Sequence, residues 1–227
     1  MCGMNILIIK GSPRKNGMGD YFLGQVTKYL KDKDCTVDIF DQSRAQISRY
    51  DADMDACEKG PSLFEQKLMK ADGIILLCPV YLKQMPGALK IEFDNVSYRM
   101  HEFPLIRKKV IIFNYASTHG AKELSEYFCE LFKSFGAEVI GSHEHYTMSS
   151  DIDYDLDCLF SQIDTMMKRI EDNVCTFTIR QEKLFTYVKR LVLTEMKHNV
   201  ITNKQERWKE FLPYDSLAQY IKEHDLK

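Results

Sequence analysis

The chain has 227 residues, 44% apolar and 28% charged, which is too apolar for a disordered chain and enough for one large domain with an appendage. Its 31 basic and 33 acidic side chains leave a net charge of -2, so neither the counterion-release drive of a nucleic-acid binder nor a polybasic membrane anchor is present. The longest apolar run, Ile74 to Leu82, is interrupted by Pro79 and falls far short of the ~20 residues a spanning helix needs.

In chain order, Asn5 to Lys10 (NILIIK) reads as a buried strand, and Gly11-Ser12-Pro13 ends it. No basic residue precedes this apolar stretch, so no secretory leader is expected. From Asp20 to about Lys33, Phe22, Val26, Tyr29 and Leu30 form the apolar stripe of a helix. Thr36 to Phe40 is a second strand, and Leu63 and Leu68 mark a short helix. Ile74 to Cys78 is a third strand without alternation, as expected when helices cover both faces of a parallel sheet. A helix over residues 87–98, a strand over 110–115 and a helix over 120–135 follow. Glu138 starts a fifth strand, and Leu156, Leu159, Ile163, Met166, Met167 and Ile170 stripe a fifth helix. Five strands with interleaved helices predict an α/β, doubly wound, parallel sheet, and both the Rossmann-type and flavodoxin-type strand orders fit that count. Ligands in either order bind outside the carboxyl ends of the strands, which points to the loops at 11–19, 79–86 and 115–120.

Residues 1–174 form this predicted domain, and 175–227 a helical extension without strands. The extension carries ten basic and seven acidic side chains, against 21 and 26 in the rest, and reads as a helical appendage that packs on the core or on a twin subunit, complementing the acidic run Asp151, Asp153, Asp155 and Asp157. Its stripes at Leu184, Val188 and Leu191 and at Leu217, Tyr220 and Ile221 are expected to mediate self-association. Trp208 reads as a packing anchor. Seven cysteines, odd in number and without a CxxC pair, argue against a disulfide framework or a zinc site and for reduced thiols in the cytoplasm. His143, Glu144 and His145 resemble metal ligands, but a site needs a third convergent group, so the segment reads as a solvated strand end.

GSPRKNGMGD, residues 11–20, joins the first strand to the first helix. Backbone amides at a helix N-terminus attract an anion, Arg14 can add a charged hydrogen bond, and Gly17 and Gly19 permit close approach and positive φ. Neither GxxxxGK[ST] nor GxGxxG is present, so a monophosphate fits better than a nucleotide triphosphate or a dinucleotide.

Together, GSPRKNG at 11–17 and ADGI…PVY…MPGALK…D at 71–94 resemble the NADPH-dependent FMN reductase and multimeric flavodoxin family, which includes the iron–sulfur flavoproteins. Those relatives typically read GSPRKNGNT and DGIIFGSPVYWGSMPGQLKAFIDR. The resemblance spans about residues 4–146 and implies a flavodoxin-like fold with strand order 2-1-3-4-5 and FMN at the carboxyl edge. Carried over by position, Ser12, Arg14, Asn16, Gly17, Met18 and Gly19 surround the FMN phosphate. Pro79, Val80, Tyr81 and Leu82 run along the isoalloxazine and ribityl chain, and Ser117 and His119 sit in the third loop. The resemblance implies an oxidoreductase taking hydride from NAD(P)H to a small-molecule electron acceptor (a quinone, a flavin or another), acting as a homodimer, with no catalytic side chain of its own. The competing reading is a flavodoxin-like binding or regulatory module with weak or lost flavin binding.

This chain departs from the family pattern at Met18-Gly19, where a hydroxyl is missing, and at Leu82-Lys83-Gln84, where an aromatic is missing. Cys57 stands alone where iron–sulfur relatives cluster their cysteines, and one thiolate cannot hold a cluster that needs four ligands. The lost hydroxyl predicts loosely held FMN that tightens in Gly19→Thr.

Overall fold

The computed structural model describes residues 3–46, 60–202 and 204–224. Five parallel strands, β1 (Met4–Lys10), β2 (Cys35–Asp41), β3 (Gly73–Pro79), β4 (Lys109–Ala116) and β5 (Glu138–Tyr146), form one sheet in the order β2-β1-β3-β4-β5. This is the flavodoxin-like order, and its reversal falls between β1 and β3. The helices α1 (Met18–Leu30), α2 (Leu63–Lys70), α3 (Gly87–Asn95), α4 (Ala121–Ser134) and α5 (Ile152–Glu171) cover the two faces. The predicted helix over 87–98 stops at Asn95 and gives way to a 3-10 turn at Ser97–Glu102. Cys57 and the segment around it lie outside the described residues, as does Cys2.

The pattern of β3 explains the layering. Ile74, Leu76 and Cys78 enter one core with Phe64, Leu89, Phe93, Phe128 and Phe132 from α2, α3 and α4. Ile75 and Leu77 enter the other with Phe22, Val26, Leu159, Ile163 and Met166 from α1 and α5. Every residue of β3 is therefore buried, and no polar position interrupts it. Burial pushes the Cys78 thiol well above its usual range, so it packs as a small hydrophobe. No helix of the described residues is long and apolar enough to cross a membrane.

The C-terminal stretch contains α6 (Ile179–Lys197), α7 (Lys204–Phe211) and α8 (Leu217–His224). The structure corrects the reason for expecting its stripes to seek a partner. Val188, Leu217, Tyr220 and Ile221 are buried within the chain, in a third core with Phe185, Val192, Trp208 and Phe211. That core closes around Phe103, which leaves the turn after α3 in a left-handed conformation (φ 49°). Gly136 makes room for it, since a Cβ there would lie 3.1 Å from the Phe103 Cβ. Polar bonds fasten the unit, among them the Arg180–Glu130 ion pair and the Thr176 hydrogen bond to Glu138. Trp208 Nε1 donates to the His101 carbonyl at 2.7 Å, and Gln181, buried at the start of α6, donates to the Ala137 carbonyl at 3.0 Å.

Nor does the extension neutralise the acidic run. Among the described ion pairs its cations reach Glu130 and partners inside the extension, not Asp151, Asp153, Asp155 or Asp157. The run serves its own helix instead. Asp151 caps α5 by accepting from the amides of Asp153 and Tyr154, and Asp153 and Asp155 sit in the first turn, where the helix dipole favours negative charge. Trp208→Ala should cost about 3–5 kcal/mol in urea denaturation, the range for truncating a buried large aromatic.

Candidate functional site

The carboxyl ends of β1, β3 and β4 are neighbours in the sheet, so the loops that follow them share one rim. The first loop begins at Lys10, the last residue of β1, whose side chain is fully buried. Its ammonium donates to Asp20 at 2.6 Å and to the Ser43 hydroxyl at 3.1 Å, and it lies 3.1 Å from Asp41. One buried cation thus joins the end of β1, the first turn of α1 and the end of β2. Asp20 also accepts the Gly17 amide at 3.1 Å, closing the loop on the helix that it starts. The hydrogen bond from Lys10 is the main reason the Asp20 carboxyl is held below its usual range.

Gly17 is the N-cap of α1, and having no side chain it leaves the capping to Asp20. Its φ of -114° is ordinary extended backbone, and the left-handed residue in this loop is Asn16 (φ 59°). The positive φ expected of the glycines therefore falls on an asparagine, a residue that tolerates it. Gly19 is needed for space. A Cβ there would lie 2.5 Å from the Tyr115 hydroxyl and 3.1 Å from the Ser12 Cβ. A threonine Cβ there would force the Tyr115 ring to move, which argues against the expectation that Gly19→Thr would improve the site. The Ser12 hydroxyl accepts the Arg14 amide at 3.2 Å, and Met18 and Gly19 present first-turn amides that have no acceptor inside the helix.

The second loop turns back at once. Tyr81 and Gln84 exchange backbone hydrogen bonds at 2.8 and 2.9 Å, with Leu82 (φ 50°) and Lys83 (φ 64°) both left-handed between them. Turns of this kind favour asparagine and glycine, so a leucine and a lysine here carry local strain. Leu82 projects almost wholly into solvent. The Arg14 guanidinium lies 5.4 Å from the centre of the Tyr81 ring, a cation–π contact that joins the first loop to the second. In the third loop Gly120 (φ 92°) caps α4, and a Cβ there would lie 3.0 Å from Val80 and 3.4 Å from the Lys83 Cα. Ser117 and His119 are exposed beside it, with the His119 ring 2.8 Å from the Thr118 hydroxyl.

Of the residues expected from sequence, the structure groups Ser12 with Gly19, Arg14 with Tyr81 and Val80 with Gly120, while Pro79 is buried beneath the rim as the last residue of β3. It brings no described contact between His119 and the first loop. Sequence reasoning missed Lys10, Asp20 and Asp41. A lysine ending an otherwise apolar strand was the available signal. It also missed Tyr115, the penultimate residue of β4. The Tyr81 hydroxyl is buried and has no hydrogen-bond partner, the Tyr115 hydroxyl is buried beside Ser12, and burial raises the Tyr115 phenol well above its ordinary range. An orphaned tyrosine hydroxyl, free first-turn amides and a glycine packed to contact fit a rim that takes a polar, anionic group.

His143 and His145 do not end a solvated strand. Their ring nitrogens each lie 2.7 Å from one oxygen of Asp155, and His145 is buried. Among the described residues no set of three such groups could hold a metal ion. Burial would raise the Asp155 carboxyl, and the hydrogen bonds to the two histidines outweigh it and lower it.

The model of the NADPH-dependent FMN reductase family matches residues 4–149. This chain belongs to that family. It is a flavin-dependent oxidoreductase with the flavodoxin-like fold. An iron–sulfur flavoprotein of Methanosarcina thermophila is 27% identical over 63% of this chain and 80% of its own length. A quinone reductase of Escherichia coli K12 is 30% identical over 48% of this chain and 58% of its own. Among solved structures, RosB with a bound 8-demethyl-8-formylriboflavin-5'-phosphate intermediate superposes with a TM-score of 0.62, at 11% identity, over 86% of this chain and 87% of that one.

Two outcomes test the packing. Gly19→Ala should destabilise the protein by about 1–3 kcal/mol, as overpacking does. Tyr115→Phe, which removes the hydroxyl that the new methyl meets, should recover part of that loss in a double-mutant cycle. The Asp155 clamp contributes stability above the unfolded carboxyl value, about 3.9, and loses it as pH falls through the lowered folded value. The difference in unfolding free energy between wild type and Asp155→Asn should therefore be full at pH 7 and shrink below about pH 4.

Proposed function

We propose that the rim holds FMN and that this protein takes hydride from NAD(P)H and passes the electrons to a quinone, a free flavin or another small acceptor. The observation that carries the reading is the joining of the loops at the carboxyl rim, the first to the second through Arg14 and Tyr81 and the second to the third through Val80 and Gly120, beside the amides at the start of α1. In this reading Ser12, Arg14, Asn16, Gly17, Met18 and Gly19 hold the phosphate. Pro79, Val80, Tyr81 and Leu82 flank the ring and the ribityl chain, and Ser117 and His119 close the third side.

FMN supplies the hydride and electron chemistry when bound, and the chain's part is binding, orientation and electrostatics. Arg14 is exposed and rests on Tyr81, so it can turn toward a phosphate without breaking an ion pair. Tyr81 offers a hydroxyl that is not yet committed. No acid–base side chain is assigned. The quinone reductase relative supports the acceptor class. We place the protein in the cytoplasm, where free thiols such as Cys35, Cys129 and Cys158 persist, and as a homodimer, for which Ile179, Tyr187 and Leu193 on the outer side of α6 supply apolar surface. The extension beyond residue 174 is read as a unit packed on the flavin domain.

Flavin released from the purified protein by heat should run as FMN on chromatography, and FAD as the sole flavin would reject the reading. Arg14→Ala should weaken FMN by about 1.5–3 kcal/mol in a fluorescence titration, the worth of a hydrogen bond to a charged group. An unchanged dissociation constant would remove Arg14 from the site.

A further inference from the structure

The loop that attracts an anion already holds one. Asp20 accepts the Gly17 amide at 3.1 Å through one oxygen and the Lys10 ammonium at 2.6 Å through the other, and the Asn16 amide acts on it in the same direction. Lys10 is fully buried and faces both Asp20 and Asp41, so its charge is spent inside the protein and lends no net attraction to a ligand. The Asp20 side chain is different, because about a third of it (35%) remains exposed on the first turn of α1, beside the amides of Met18 and Gly19. A phosphate arriving at those amides meets a like charge one residue away, and it finds the Gly17 donor engaged.

We infer that Asp20 is a built-in rival of the flavin phosphate, which makes FMN an exchangeable ligand of this site and narrows its preference for FMN over riboflavin. The inference rests on the FMN reading above and sharpens it toward flavin that enters and leaves. Riboflavin lacks the phosphate and does not meet this repulsion. The Asp20→Asn substitution removes the charge and keeps the size of the side chain, leaving one acceptor oxygen in place of two. Its one amide oxygen can still accept from Gly17, while its amide nitrogen, a donor, then faces the Lys10 ammonium, so the variant is first shown to melt cooperatively. Lys10 keeps Asp41 and Ser43, so no buried ammonium is stranded.

The test titrates FMN and riboflavin separately into flavin-free wild type and Asp20→Asn, followed by flavin fluorescence. FMN should bind about tenfold more tightly to the variant, the scale on which one neighbouring like charge shifts an ionic equilibrium. Riboflavin should bind both proteins equally. FMN affinity that is unchanged or weaker in a cooperatively melting variant overturns the inference, as does equal tightening of both flavins, which would mean that the loop had changed shape. No flavin binding by either protein overturns the FMN reading itself and this inference with it. A measurement on wild type alone guards against a variant that folds badly. The Asp20 carboxyl carbon resonance should move when FMN is added, as the carboxylate gives up the Gly17 amide, and a resonance that stays in place at flavin saturation overturns the inference.

Discussion

Lys10 carries its charge at the end of β1, an inner strand, with no exposure to water, and much of the carboxyl edge is arranged to make that tolerable. An unpaired ammonium there would cost several kcal/mol, so partners must come from every element within reach. Asp41 comes from the end of β2 and Asp20 from the first turn of α1, with the Ser43 hydroxyl completing the shell. Asp41 is lowered despite its own burial, through its bonds with Ser43 and Lys10. The ion cluster fixes where α1 begins, and so where its first amides point.

The rest of the rim is set by volume. Gly19 lets the Tyr115 hydroxyl approach the start of α1, and Gly120 lets the third loop sit against Val80 and Lys83. Both glycines act by lacking a side chain where another group needs the space, and only Gly120 also needs a positive φ. The family's threonine at the first of these positions is incompatible with Tyr115 as it stands here. The glycine at position 19 thus packs against a residue 96 positions away in the chain.

The C-terminal helices show how a modest contact can satisfy a large apolar surface. Their stripes face one another and enclose Phe103, which the sheet domain extends into them from the turn after α3. A strained backbone at Phe103 is offset by complete burial of its ring and by edge contacts with Trp208 and Phe211. The far side of α6 stays outside, with Ile179, Tyr187 and Leu193 exposed among Lys183 and Arg190, and so do Val200 and Ile201 after it.

The amino-acid sequence by itself determined the layers, the strands and the three loops, because those depend on local periodicity and on short-range breakers such as Gly11-Ser12-Pro13. The order of the sheet came with the resemblance carried by GSPRKNG and PVY, since strand count alone fits two orders. Tertiary structure decided what periodicity cannot encode. Whether the stripes of α6 and α8 face a partner or each other depends on Phe103, 82 residues before Phe185. Whether His143 and His145 meet solvent or a carboxylate depends on which turn of α5 presents Asp155 to them. Whether Gly19 is a lost hydroxyl or a required gap depends on Tyr115, brought in by the neighbouring core strand. In each case the deciding contact joins residues distant in the chain, where a one-dimensional pattern records the residue type and not its neighbour.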